Sequence, residues 1–126
     1  HRGDWCEGET IRAASDLNVP AVAVRASNHR GSLPTTHSFL DIDSPNVTLE
    51  AIKKAENSDH LVARVVERHG ATGAVRMKFA SEIAEASECN LLEREANPAR
   101  FSSATLRFTI KPYEIRTFKV RLKNRA

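Results

Sequence analysis

Apolar and polar residues alternate most regularly near the end of the chain. In "TLRFTI" the apolar side chains of Leu106, Phe108 and Ile110 alternate with polar ones, and a period of two is typical of a half-buried β-strand. The segment "IRTFKVRLK", residues 115–123, repeats this alternation, and "KPYE" between the two has the composition of a turn. The pattern therefore predicts a β-hairpin.

A short amphipathic helix is predicted near the start of the chain. It extends from Glu7 to Asn18, because Ile11, Ala14 and Leu17 fall on one side of it. Acidic residues lie at its start, and Asn18 together with Pro20 ends it. The next segments are predicted, in order, as a strand (residues 20–26), a polar loop (27–36) and a short strand (37–43).

The middle of the chain fits either a helix or a strand. In "SDHLVARVVERHG" the apolar residues have helical spacing, yet Leu61, Ala63 and Val65 also alternate against Arg64 and Arg68 as in a strand. The segments "NVTLEAIKKAEN" (46–57) and "SEIAEASECNLLERE" (81–95) are rich in Ala, Glu, Lys and Leu, which favours helices. Local pattern alone therefore predicts an α+β domain.

The choice between helix and strand decides how Glu67 and His69 are interpreted. On a helix they lie at the end of a face that could carry catalysis, whereas after a strand they are solvated neighbours of a turn. Glu67 and His69 could imitate an acid–base pair, but no nucleophile or orienting partner is spaced to complete a catalytic set. We assign neither residue a catalytic role.

Composition indicates one soluble globular domain. The chain has 126 residues, of which 40% are hydrophobic and 28% charged. No apolar run approaches the roughly 18 residues of a membrane span, so we expect no membrane partner. The chain opens on "HRGDW", without Met or a signal-peptide pattern, and we expect it to be a fragment of a longer protein.

A nucleic-acid partner is not expected, although the net charge is +3. The 19 Lys and Arg residues are interspersed with 16 Asp and Glu residues, and aromatic residues make up only 6% of the chain. Near the C-terminus, Lys119, Arg121 and Lys123 alternate with apolar residues. This pattern predicts the solvated face of a terminal strand, where basic residues discourage edge-to-edge pairing.

No group of residues has the spacing of a metal or redox site. The five histidines are His1, His29, His37, His60 and His69. None of them lies in a motif with the spacing of zinc ligands. Asp41 and Asp43 could hold a cation, but two carboxylates ahead of Ser-Pro more often flank a turn. Cys6 and Cys89 could form one disulfide in a secreted protein, but we interpret them as buried free thiols without a redox role, and we expect no cofactor in this chain.

Four segments, in this order, resemble one known family. They are "DSPNVTLEAIKKAEN", "HLVARVVERHG", "CNLLERE" and "IKPYEIRTFKVRL". Together they resemble the C-terminal β-sandwich region of the α-mannosidases of glycoside hydrolase family 38, over roughly residues 38–123. The most specific part is "NLLE" at Asn90–Glu93 followed by "KPYEIRTFKV". Upstream, "DLNVPAVAV" and "SFLDID" resemble the bacterial and cytosolic branch of that family.

The resemblance implies an all-β fold, an antiparallel β-sandwich with one short N-terminal helix. Residues 1–37 would form a lead-in of helix, strand and loop, and residues 38–126 the core of a single C-terminal domain. The segment "HLVARVVERHG" would then be a strand that ends at Gly70. Burial between strands would outweigh local helix propensity. The residues expected to be buried in this way are Val47, Leu49, Cys89 and Leu91.

The resemblance also implies a non-catalytic role within a glycosidase. Family members hydrolyse terminal α-linked mannose with retention, using a carboxylate nucleophile, a second carboxyl group and zinc. The resemblance places these groups on an N-terminal β/α barrel, so no catalytic residue or metal ligand transfers to this chain. The implied partners are that barrel, mannose-containing glycans reached through the parent enzyme, and a second copy in a homo-oligomer. The implied location is the cytoplasm.

Two alternative functions are open. An independent carbohydrate-binding module with the same fold would stack sugars on exposed aromatic rings, for which the chain offers one Trp, Trp5, and one Tyr, Tyr113. A stand-alone enzyme would need a catalytic set, which the sequence does not supply. The residues therefore favour the supporting domain.

Arg116 is the residue that fits its predicted strand least. The alternation places it on the same side as Phe118 and Val120, which is the predicted core face. Because a buried guanidinium must be paired, we expect Arg116 to emerge at the mouth of the sandwich or to meet a carboxylate such as Glu93. Glu93 and Arg116 are therefore our candidates for the interface with the barrel.

Overall fold

The computed structural model describes residues 3–94 and 96–123. The chain divides between Thr35 and Thr36 into two compact units. The first unit contains the helix α1 (Thr10–Asn18), none of whose residues is buried. No helix in the described part of the chain is long and apolar enough to cross a membrane.

Helix α1 begins later than the sequence pattern predicts. The carboxylate of Asp4 accepts the backbone N–H groups of Cys6 and Glu7 at 2.8 and 2.9 Å. These bonds hold residues 5–9 in turns, so the regular helix starts at Thr10 rather than at Glu7.

The predicted strand over residues 20–26 is wrong. These residues lie outside any helix or strand, and Val22 and Val24 are 86% and 83% exposed. A strand is stabilised by the hydrogen bonds and side chains of its neighbours. Within residues 3–94 and 96–123, no strand pairs with this segment, so its valine-rich composition does not produce one.

In the described part of the second unit, nine strands form two antiparallel sheets. The strands are β1 (Leu40–Ile42), β2 (Val47–Lys54), β3 (Leu61–Glu67), β4 (Gly73–Phe79), β5 (Ile83–Cys89), β6 (Asn97–Pro98), β7 (Phe101–Ser102), β8 (Thr105–Ile110) and β9 (Ile115–Leu122). The first sheet has the order β1-β4-β8-β7, and the second has the order β2-β3-β9-β5-β6. The predicted all-β fold with one short N-terminal helix is confirmed.

The middle segments form β2, β3 and β5, so the α+β alternative is wrong. On β3, the neighbours Val62 and Ala63 point to opposite faces, and both are at most 1% exposed. Because apolar residues occupy both faces of β3, they do not alternate strictly with polar ones, and local pattern does not distinguish such a strand from a buried helix. The strand ends at Glu67 rather than at Gly70.

Strands β8 and β9 exist as predicted, but they do not form a hairpin. Strand β8 pairs with β4 and β7, whereas β9 pairs with β3 and β5 in the other sheet. The connecting turn has Tyr113 in the left-handed region at φ 56°, and Glu114 N–H donates to the Lys111 carbonyl at 3.1 Å. Crossing between sheets lets the apolar faces of β8 and β9 bury each other, which pairing within one sheet would not do.

The core lies between the two sheets. Its buried members are Val47, Ala63, Val65, Val75, Met77, Phe79, Ile83, Ala86, Leu106, Ile110, Phe118 and Val120. Of the residues predicted to be buried between strands, Val47 and Cys89 are buried, while Leu49 and Leu91 are exposed. The prediction is therefore wrong for those two leucines, one of which lies in the loop after β5.

Candidate functional site

Arg116 lies on the core face of β9, between the two sheets. It is opposite Val65 of β3 and alternates with Phe118, as the sequence predicts. Its side chain is only 18% exposed. The guanidinium carbon is 5.2 Å from the centre of the Phe108 ring and 5.3 Å from that of the Phe118 ring, within the range of cation–π attraction.

The carboxylate that pairs with Arg116 is Glu88 of β5, so the predicted contact with Glu93 is wrong. Arg116 Nε donates to Glu88 Oε1 at 2.7 Å, and Nη2 donates to Oε2. This is the two-bond geometry that suits a guanidinium and a carboxylate. Arg116 Nη1 donates to the Thr109 carbonyl of β8. One side chain thus links the two sheets.

This ion pair lines a cleft of about 820 Å³. Apolar lining comes from Phe108 and Phe118 and from the segment Pro98–Ala99. The charged residues that line it are Asp43, Arg76, Glu88, Arg100, Arg107 and Arg116. Arginines thus outnumber carboxylates in the cleft. The sequence pattern does not predict this charged cleft, because the six charged residues come from different elements of the fold.

Glu93 lies in the loop after β5 and contacts the outer face of the second sheet. Its carboxylate forms an ion pair with Lys53 at 2.7 Å and accepts the Glu56 N–H at 3.1 Å. Its side chain is 8% exposed. The hydrogen bonds from Lys53 and from the Glu56 backbone hold the pKa of Glu93 below its usual range. Glu93 therefore fastens its loop to the end of β2.

The loop from Asn90 to Arg94 is stabilised by its own hydrogen bonds. Asn90 Oδ1 accepts the N–H groups of Leu92 and Arg94, both at 3.0 Å, and Glu93 N–H donates to the Asn90 carbonyl at 2.9 Å. Leu91 and Leu92 nevertheless remain 56% and 75% exposed. The "NLLE" sequence thus forms an ordered loop that presents two leucines to solvent.

The same loop lies beside the buried thiol of Cys89. Arg64 of β3 donates through Nη2 to the Leu91 carbonyl at 3.0 Å and through Nε to Thr117 Oγ1 at 3.1 Å. Cys89 Sγ contacts the Thr117 carbonyl, at 3.7 Å. Burial raises the pKa of the Cys89 thiol, which disfavours the reactive thiolate.

Replacing Glu93 with Ala is expected to speed alkylation of Cys89 several-fold. Without the bonds to Lys53 and Glu56, the loop opens more often, and local opening limits the access of reagent to a buried thiol. The rate is measured on the Cys89 peptide by mass spectrometry. Glu56→Ala is the matched control, because it removes the other carboxylate that binds Lys53, at 2.8 Å, and leaves the loop contacts intact. Equal rates in the two variants would contradict this role of Glu93.

Glu67 is fully buried and not a solvated neighbour of a turn. Its carboxylate accepts four hydrogen bonds, each 2.8 Å long, from the Asn46 amide and from the backbone N–H groups of His69, Gly70 and Tyr113. Burial alone would raise the pKa of Glu67, but these bonds outweigh it and lower the pKa from 4.5 to about 2. Glu67 thus joins the end of β3 to two other loops.

The remaining candidate residues do not come together. Asp43 binds Arg76, accepting from its backbone N–H at 2.7 Å and from Nε at 2.5 Å, and these bonds lower the pKa of Asp43. Among residues 3–94 and 96–123, no three His, Cys, Asp or Glu side chains cluster as metal ligands would. No disulfide joins Cys6 and Cys89; Cys89 is buried as predicted, whereas Cys6 is only partly buried, so the predicted burial is wrong for Cys6.

Sequence comparison agrees with this architecture. Residues 46–118 match the family described as "Glycosyl hydrolases family 38 C-terminal beta sandwich domain". The chain belongs to this family. Over 98% of its length it is 33% identical to "Alpha-mannosidase 2C1" of Mus musculus, and over 91% it is 32% identical to the Homo sapiens protein of the same name. It is also 32% identical, over 94% of its length, to "Alpha-mannosidase G" of Dictyostelium discoideum.

These relatives are much longer than the chain. It spans 12% of the mouse protein and 11% of the human and Dictyostelium proteins. The match over residues 46–118 confirms the predicted kinship with the C-terminal sandwich of family 38 α-mannosidases. Similarity to bacterial members of the family stays a prediction.

Proposed function

We propose that this family 38 sandwich is a non-catalytic support for the catalytic part of an α-mannosidase. The parent enzyme hydrolyses terminal α-linked mannose of glycans with retention of configuration, in the cytoplasm. Zinc is bound by the catalytic part and not by this chain. Support comes from the family match, from the names of the relatives, and from the small share of their length that the chain spans.

The observation that carries the proposal is the pair of exposed leucines at Leu91 and Leu92. Burying a Leu side chain contributes roughly 1.5–3 kcal/mol, so two adjacent exposed leucines on an ordered loop suit a contact surface. We assign this loop to the interface with the catalytic part. Of the earlier interface candidates, Glu93 acts by fastening the loop, and Arg116 acts by ordering the cleft.

The carbohydrate-binding alternative gains no support. Its two aromatic residues, Trp5 and Tyr113, belong to different compact units of the chain. Within the second unit, Tyr113 is 65% exposed. Phe39 and Phe101 are also exposed, at 66% and 38%, but among the described residues no ring contact joins any two of these three rings into the stacking platform that such a module uses.

The test uses the full-length enzyme that contains this chain. We expect it to release mannose from an aryl α-mannoside and to retain zinc, whereas the 126-residue chain alone does neither. Leu91→Ser/Leu92→Ser should lower the melting temperature of the full-length enzyme or raise its KM, because the interface is lost. The same double change should leave the melting temperature of the isolated chain unaltered, since both leucines are exposed there.

Ile52→Ser is the control, because Ile52 is 49% exposed and lies outside the loop. An unaltered full-length enzyme after the double leucine change would remove the interface assignment. A full-length protein without α-mannosidase activity would overturn the function itself. The two failures are therefore distinguishable.

A further inference from the structure

We propose that the cleft beside Arg116 binds a phosphate monoester of a small hydroxylated molecule, such as a sugar phosphate. Its phosphate is held by Arg100 and Arg107. This binding function is separate from the supporting role proposed above. It rests on the charges, the volume and the lining of the cleft.

Two of the four cleft arginines are already neutralised. Arg76 pairs with Asp43, and Arg116 pairs with Glu88. In the described part of the chain, no carboxylate lies within ion-pair distance of Arg100 or Arg107, whose side chains are exposed at the cleft. The cleft therefore holds two guanidinium groups whose charge an external anion can balance.

The backbone brings these two arginines together. Arg107 N–H donates to the Arg100 carbonyl at 2.9 Å, so the two residues are neighbours across the edge of the first sheet. Arg107 is also directly opposite Arg76 in the pairing of β4 with β8. Like charges that face each other across a sheet are destabilising, so an anion bound here would relieve repulsion.

A phosphate monoester matches this charge and geometry. It carries about −1.5 to −2 charges at pH 7 and three acceptor oxygens, which two guanidinium groups can bind through paired N–H groups. A carboxylate carries a single charge and would balance only one of the two arginines. The pair thus favours a phosphate over a carboxylate ligand.

The cleft has room for more than a phosphate group. Its volume of about 820 Å³ falls within the 300–1,000 Å³ that is typical of small-molecule sites. Phe108, which leaves β8 on the face opposite to Arg107, supplies apolar surface together with Pro98, and the Glu88 carboxylate and the Thr109 backbone supply polar atoms that can bind hydroxyl groups. A sugar-sized body with hydroxyl groups fits this mixed lining.

The experiment is an NMR titration of the ¹⁵N-labelled 126-residue chain at low salt. The probes are a hexose 6-phosphate, the same hexose without phosphate, and inorganic phosphate. We expect saturable shifts of the Arg107 and Thr109 amide signals with the hexose phosphate, and at least tenfold weaker binding of inorganic phosphate. The free hexose should cause no shift.

The matched variants each remove two positive charges. Arg100→Gln/Arg107→Gln should weaken hexose phosphate binding at least tenfold, whereas Arg94→Gln/Arg121→Gln, outside the cleft, should retain it. Circular dichroism checks that both variants are folded. Equal loss in both would show nonspecific charge attraction and overturn the site. Absence of saturable shifts, or equal affinity for phosphate and hexose phosphate, overturns the proposed ligand class without use of any variant.

Discussion

Replacing Glu67 with Gln is expected to destabilise the sandwich by about 3 kcal/mol at pH 7. The wild-type carboxylate is fully buried and accepts four hydrogen bonds. A Gln side chain keeps one acceptor oxygen and turns an NH₂ group toward N–H donors. If the Gln NH₂ group takes the place of Oε2, the N–H groups of Gly70 and Tyr113 lose their acceptor. Each buried unsatisfied group costs about 1–3 kcal/mol.

The pH dependence follows from the sign of the pKa shift. The pKa of Glu67 is about 2 in the folded chain and near its ordinary value of 4.5 in the unfolded chain. Because the folded value is the lower one, this stabilisation is complete above about pH 4.5 and is lost as the pH falls toward 2. The gap between wild type and Glu67→Gln should therefore shrink through that window.

Urea denaturation at pH 7 and at steps down to pH 2 measures both effects. Glu50→Gln is the control, since Glu50 makes a partly exposed ion pair with Arg68, and such pairs contribute at most about 1 kcal/mol. If Glu67→Gln lowers the free energy of unfolding no more than Glu50→Gln does, the hydrogen bonds of Glu67 to Asn46, to Tyr113 and to residues 69–70 do not stabilise the sandwich. A gap that stays constant with pH would contradict the lowered pKa.

The strands could be predicted in part from local pattern, and the reasons for failure are physical. Regular alternation in β8 and β9 identified both strands, because each has one buried and one polar face. It did not identify their partners, since sheet membership depends on how the chain turns at Tyr113. Residues 20–26 also have a strand-like composition, yet no strand of the described chain pairs with them.

The site was less predictable than the fold. The sequence singles out Arg116 because a charged residue occupies a position on the apolar face of its strand. Its partner is decided by the register of β5 and β9, which sets Glu88 opposite Phe118 and therefore on the same face as Arg116. Glu93 follows β5 in the chain and belongs to the loop, so it cannot reach the same face. Glu67 looked like a surface residue because a carboxylate is rarely buried, and only its four donors explain its position.

Replacing Arg116 with Met is expected to destabilise the sandwich by about 2 kcal/mol. Removing one member of a buried ion pair leaves the other without its partner, which costs 3–5 kcal/mol when burial is complete. Glu88 is 34% exposed, so water recovers part of that loss. The loss of the contacts with the Phe108 and Phe118 rings adds to the effect, although Met retains similar volume.

A double-mutant cycle separates the ion pair from packing. Glu88→Leu should also destabilise the chain, but Arg116→Met/Glu88→Leu should be more stable than the sum of the single changes predicts, by about 1–2 kcal/mol. The exposed pair of Arg121 and Glu85, at 3.0 Å, is the control and should show much weaker coupling. Denaturation curves for all variants give the coupling energies.

Additive losses, within about 0.5 kcal/mol, would mean that Arg116 and Glu88 stabilise the sandwich independently. Because both residues belong to the second sheet, the ion pair would then add no coupling energy within that sheet, and Arg116 would order the cleft only through its contacts with Thr109 and Phe108 of β8. Arg116→Lys decides between charge and shape, because Lys keeps the charge but lacks the planar fork. We expect Arg116→Lys to lose most of the coupling, since two parallel bonds to Glu88 and a third to Thr109 need a guanidinium.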